Sequence, residues 1–146
     1  MADPLSISAS LVALITATVT SVKSLHGTVS RFKGRDKTLG RLQNELEETI
    51  TLLNSLDDVV HAEVAMAELL RGPIDRCNKV CDEFRESMES FSKKSKTSFR
   101  DWTKLEFMRG DINEFIDMIS GYKSTISVGL GLITMFVNIF SFAKCC

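Results

Sequence analysis

Apolar residues recur along most of this chain in alternating steps of three and four, and those steps define four helices. Leu11, Ile15, Thr18, Val22, Leu25, Val29 and Phe32 form the first seam. Asp3-Pro4 precedes it as a start signal: aspartate can cap the first turn, and proline fits a position whose N–H has no partner. Gly34, inside the basic stretch Arg31 to Arg35, interrupts the pattern. A second helix opens near Asp36 with the seam Leu39, Leu42, Leu46, Thr49, Leu53, Leu56 and Val60, and Asp57-Asp58 mark its end. A third runs through Leu70, Ile74, Cys77, Cys81, Phe84, Met88 and Phe91, with Gly72-Pro73 as a start or early kink. SKKSKTS, Ser92 to Ser98, follows as a basic loop. The fourth begins near Asp101 or Thr103, where Thr103-x-x-Glu106 fits a capping box. Its seam is Trp102, Leu105, Met108, Ile112, Phe115, Ile119, Tyr122 and Ile126.

Period-two alternation is absent over any useful window, so no hairpin is expected. Four long amphipathic helices with short connections predict an all-α, antiparallel four-helix bundle. At about 1.5 Å per residue the first helix spans about 42 Å. A fourth helix starting at residue 102 covers that length by about residue 130. Gly129 and Gly131 fall there, so the chain is expected to overhang the bundle beyond them or to fold back. This divides it into a bundle, residues 1–130, and an apolar tail, residues 131–146. The tail carries Leu132, Ile133, Met135, Phe136, Val137, Ile139, Phe140 and Phe142 and reads as apolar on every face. A surface helix is not built that way. The uncharged run Ser124 to Ala143 has the length that crosses a bilayer.

The totals agree with one globular domain. The 146 residues are 44% hydrophobic and 25% charged, with two prolines, and the net charge is −1. That balance gives no electrostatic reason to bind nucleic acid. Of the four cysteines, Cys77 and Cys81 share a helix face and act as small apolar groups, which suits a reducing, cytoplasmic setting. The first uncharged segment, Pro4 to Val22, lacks the basic start of a signal peptide and carries many Ser and Thr, so it reads as a buried helix. By topology the basic loops, with Arg31, Lys33, Arg35, Lys93, Lys94 and Lys96, lie at one end of the bundle. They are either plain solvated loops or a surface for anionic lipid or an acidic partner.

No catalytic constellation is visible. His26 and His61 have no ligand-type residues at metal spacing, and Glu45, Glu47 and Glu48 read as a solvated helix face. There is no phosphate loop, no G-x-S-x-G and no HExxH. The expectation is therefore a non-enzyme without metal or cofactor. Cys145-Cys146, after an apolar helix and Lys144, suits S-acylation, the alternative being unmodified thiols. Ala143 occupies the position at which a C-a-a-X box needs cysteine.

The stretches MADPLSISASLVALI, RCNKVCDEFRESM and DWTKLEFMRGDINEFIDMISGYKSTISVGLGL carry a family resemblance. Together with Trp102, Phe107, Ile112 and Lys123-Ser124-Thr125 they make residues 1–133 similar to the HeLo-like N-terminal domain of fungal STAND (NOD-like) receptors. That domain type is labelled in some proteins as the N-terminal domain of azaphilone pigment cluster protein L. The resemblance implies a HeLo-like bundle whose hydrophobic N-terminal helix inserts into membrane in a cell-death response. That role would fall on Leu5 to Val22, with Leu5, Leu11, Val12, Leu14 and Ile15 as its apolar bulk. Such domains usually precede a nucleotide-binding switch, whereas this sequence stops at Cys146. A standalone member, or one with a separate regulator, is expected.

Three functions remain open at this point. The first is a membrane-associating, oligomerising domain of fungal cell-death or immune-type signalling, peripheral to or anchored in a membrane. Leu132, Ile133, Phe136, Ile139, Phe140 and Phe142 would then touch lipid. The second is a soluble adaptor whose tail forms a homodimer or binds a partner helix. The third is a binder of a hydrophobic small molecule in secondary metabolism.

Overall fold

The computed structural model describes residues 3–32, 37–94 and 106–145. Its helices are α1 (Pro4–Phe32), α2 (Lys37–Val59), α3 (Val64–Glu68), α4 (Arg71–Lys94) and α5 (Glu106–Cys145), with a 3-10 turn, Val60–Ala62, after α2. Among the described residues there is no strand. At the head of α1 the Leu5 N–H donates to Asp3 Oδ1 at 3.3 Å, and the Ile7 N–H to the Asp3 carbonyl at 3.0 Å. Pro73 sits in the first turn of α4, where its missing N–H costs nothing.

The four long helices form the expected bundle, and their polar contacts set the directions. Ser8 with His61 and Ser30 with Gln43 make α1 and α2 antiparallel. Ser10 with Arg71, Ser21 with Asn78 and Arg31 with Glu89 make α1 and α4 parallel. Lys123 of α5 meets Glu45 and Glu48 of α2, while Val137 lies beside Ala62, so α2 and α5 are also parallel. α1 packs on α2 and α4, and α5 on the same two helices, so α1 and α5 occupy opposite corners. α2 and α4 are therefore diagonal as well. The chain passes between them through α3, which crosses the end of the bundle and packs on both α1 and α5. Periodicity carried no sign of this five-residue helix.

The seams form the core. All seven positions read for α2 are buried, as are Leu11, Ile15, Thr18, Val22, Leu25 and Val29 of α1. Ile74, Cys77, Cys81 and Met88 of α4 join them, together with Ile112, Phe115, Ile119 and Ile126 of α5. Phe84 and Phe115 stack with ring centroids 4.2 Å apart. Trp102 and Leu105, read as the start of the fourth seam, lie outside the described residues. Buried hydroxyls are satisfied mostly within their own helix: Thr18, Thr28 and Thr49 donate to the carbonyls of Leu14, Ser24 and Glu45.

α5 is the element that outgrows the bundle. Its 40 residues reach about 60 Å, against about 44 Å for the 29 residues of α1. It runs unbroken through Gly129 and Gly131, so the fold-back alternative is not taken. Gly129 is required by contact rather than by a turn: a Cβ there would lie 2.6 Å from both δ-carbons of the buried Leu70. Leu70, at the end of the α3 crossing, thus seats in a notch on α5. The overhang starts later than residue 131, because Ile133 is fully buried and Val137 packs against the core.

Candidate functional site

Past Gly131 the helix packs inward only through Ile133 and Val137. Leu132, Met135, Phe136, Ile139, Phe140 and Phe142 are all exposed, Phe142 at 74%. The Phe136 and Phe140 rings lie on one side, 6.3 Å apart. The extension is not apolar all round, as the sequence suggested. Gly131, Thr134, Asn138 and Ser141 recur at steps of three and four and form a small, polar stripe along one exposed side. The Thr134 hydroxyl is satisfied within the helix by the Leu130 carbonyl at 2.9 Å.

Two helices are long and apolar enough to cross a membrane. The most apolar eighteen-residue window has a mean hydropathy of 1.8 within Leu5–Ser30 and of 1.9 within Asp111–Lys144. They differ in how far the fold already uses them: 28% of the first window is buried, and 11% of the second. The residues read as one N-terminal membrane surface are split by the fold. Leu11 and Ile15 are core, Val12 and Leu14 are half-buried, and of the five only Leu5 is exposed. A 3.6-residue period sends every third or fourth apolar side chain inward, so consecutive ones cannot share an outer face. Ile133 is withdrawn from the tail set for the same reason, since it continues the seam from Ile126 through Gly129.

Those basic-loop residues that fall within the described helices lie far from the extension. Arg31 ends α1, and Lys93 and Lys94 end α4, at the pole where those parallel helices finish. Lys33, Arg35 and Lys96 lie outside the described residues. The opposite pole, from which α5 emerges, carries Asp3, Asp58, Glu63 and Glu68, against Arg71 and Lys144. Glu63 and Lys144 line one small groove there with Val137 and Phe140. Arg71 is held by a two-pronged hydrogen bond to Glu68, at 2.6 and 2.9 Å, and donates to Ser10 at 3.0 Å. The Arg71 guanidinium draws the Glu68 carboxyl below its ordinary range.

Glu45 and Glu48 are not simply solvated. They clamp Lys123 Nζ at 2.7 and 2.5 Å, and the two carboxylates raise the ammonium above its usual range. Below the clamp an open groove of about 710 Å³ runs between α2 and α5, lined by Glu47, Thr51, Leu52, Ser124, Ser127 and Val128. His26 pairs with Glu47 at 2.9 Å, and the His61 Nδ1 contacts the Ser8 hydroxyl at 2.6 Å. Cys77 and Cys81 are free and fully buried. The hydrogen bond between them and burial push the Cys81 thiol up. Cys145 closes α5, and Cys146 lies outside the described residues. Neither the Lys123 clamp nor the Leu70 notch was readable beforehand, because each joins residues more than fifty positions apart.

The geometry defines a class: an all-α bundle whose last helix projects an unpartnered, largely apolar extension from an acidic pole. Residues 2–141 match the family described as pigment biosynthesis cluster protein PigL N-terminal, and the chain belongs to that family. No match was found among curated proteins or among solved structures.

Proposed function

We propose that this domain is a non-enzymatic membrane-associating module in which the C-terminal end of α5 enters lipid and copies then oligomerise. The exposed apolar extension, without a charge from Ser124 to Ala143, carries the reading. Six half-exposed large side chains entering hydrocarbon contribute about 1 kcal/mol each. The sum is close to the marginal, reversible attachment that a single acyl chain provides. Acylation at Cys145 or Cys146 would supply the second signal for stable anchoring. Because the pole from which α5 emerges carries more carboxylates than cations, attachment needs no anionic lipid. The polar stripe of Thr134, Asn138 and Ser141 supports oligomerisation, since such residues associate helices within a bilayer.

The cellular setting we infer is fungal cell-death or immune-type signalling, supported by the similarity of residues 1–133 to HeLo-like domains. Flotation with phosphatidylcholine vesicles tests the membrane step. The substitutions I139S, F140S and F142S, made together, change only exposed positions and leave the buried Ile133 in place. They should lower partitioning about a hundredfold. Equal flotation of both proteins would refute the reading. The same polar stripe favours a second reading, a soluble adaptor that pairs through α5. It predicts a salt-tolerant dimer by light scattering and no flotation.

A further inference from the structure

We infer that the Lys123–Glu45–Glu48 cluster is a clasp that holds Ser124–Ala143 against α2, and that its opening frees this segment to cross a bilayer. The inference rests on the membrane reading and concerns how that site is controlled. Between Asp117 and Lys144 the only charged residue is Lys123, so two lysines bracket twenty uncharged residues. Twenty helical residues span about 30 Å, the thickness of the hydrocarbon core. With α5 docked, the part beyond Ile133 is too short for that. Pushed straight in, it would leave the Lys144 ammonium inside hydrocarbon, where a charge is strongly disfavoured. Released from Lys123 onward, the segment would place one lysine at each face, where both can reach the headgroups.

Apart from the Leu70 notch at Gly129 and the half-buried Leu130 and Val137, few side chains hold the docked segment. From Tyr122 to Ala143 the only buried side chains are Ile126 and Ile133. By contrast, Ser8, Leu11, Ile15, Thr18, Val19, Ser21 and Val22 are buried in the opposing candidate on α1. Beside the seam, directly past the clasp, lies the open groove, faced by the small Ser124 and Ser127. The clasp is thus the main polar tie of a weakly packed segment, and α5 rather than α1 is the helix the bundle can release.

The test uses the full chain on phosphatidylcholine vesicles, comparing wild type with E45Q/E48Q. A membrane-impermeant maleimide added outside labels Cys145 and Cys146 when α5 lies on the surface, and leaves them unlabelled once they have crossed. The double variant should raise the protected fraction about fivefold, the scale set by losing a weak ion-pair cluster. Hydrogen exchange in solution should quicken from Ser124 to Ala143 and stay slow from Leu11 to Val29, showing that the bundle is folded. E48Q alone, at the more exposed partner, should shift both readings less and in the same direction. Equal flotation with equal labelling in all three proteins would overturn the clasp and leave the membrane reading standing. Failure of the wild type to float would remove both.

Discussion

Gly129 and Gly131 lie two residues apart on the same helix, yet replacing each with alanine should have opposite effects. At Gly131 an added Cβ meets nothing within 4 Å. Alanine there gains the ordinary helix preference over glycine, about 1 kcal/mol. At Gly129 the same Cβ would lie 2.6 Å from both δ-carbons of Leu70 and 3.0 Å from its γ-carbon. Leu70 is buried at the junction of α3 and α4, so it cannot simply swing into solvent. Overpacking of this kind costs about 1–3 kcal/mol. Set against the same preference, it leaves G129A between neutral and about 2 kcal/mol destabilised. The two variants should therefore differ by about 1–3 kcal/mol. For a chain of this size that is several degrees of melting temperature, readable by circular dichroism at 222 nm with a urea titration to match. Adding L70A should make the Gly129 substitution favourable again, the coupling appearing as non-additivity in a double-mutant cycle. If G129A stabilised the protein as much as G131A, α3 would not be seated on α5, and the crossing under the bundle would be wrong.

Other substitutions separate core from surface on α5. I133A should cost about 2–5 kcal/mol of unfolding free energy, whereas I139A, two turns further on, should change it by less than about 0.5 kcal/mol. Glu68 is depressed by its hydrogen bonds to Arg71, so the pair stabilises the fold above the ordinary carboxylate pKa and loses that contribution as pH falls from there through the lowered value. E68Q should accordingly lower stability at neutral pH by less than about 1 kcal/mol, flattening the acid limb of a pH–stability curve. Cys77 and Cys81 should resist a water-soluble thiol reagent in the folded protein and react only at denaturant concentrations that unfold it; rapid native labelling would contradict their burial.

The heptad pattern was readable wherever apolar and polar residues alternate clearly, as in α2, where every seam position is buried. It failed where that contrast disappears. Past Ile126 nearly every residue is apolar or small, so nothing in the one-dimensional pattern marks Ile133 as the inward one. What marks it is the continued spacing through Gly129, a residue with no side chain to count. Val64–Glu68 is too short to show a period, so α3 and the diagonal crossing were invisible. With them went the pairing of α1 with α4 and of α2 with α5. The exposed phenylalanines of the tail were legible, because no helix of this length was left to cover them. Lys123 was not, because glutamates three apart on an outer face look solvated until a neighbouring helix brings the cation.

Seams that repeat every seven residues have a weakness: slid by one repeat, about 10 Å, leucine still meets leucine. Hydrophobic burial alone would tolerate such slippage. Most buried hydroxyls cannot prevent it, since Thr18, Thr28 and Thr49 bond to their own helices. Two other buried hydroxyls, both on α1, can. Ser21 donates to Asn78 at 2.5 Å, and Ser8 meets His61 at 2.6 Å. After a slide of seven, Ser21 would stand level with Arg71 or Arg85, and Ser8 would lose its imidazole. Two serines with ordinary hydrogen bonds therefore choose one alignment among several that the leucines would accept.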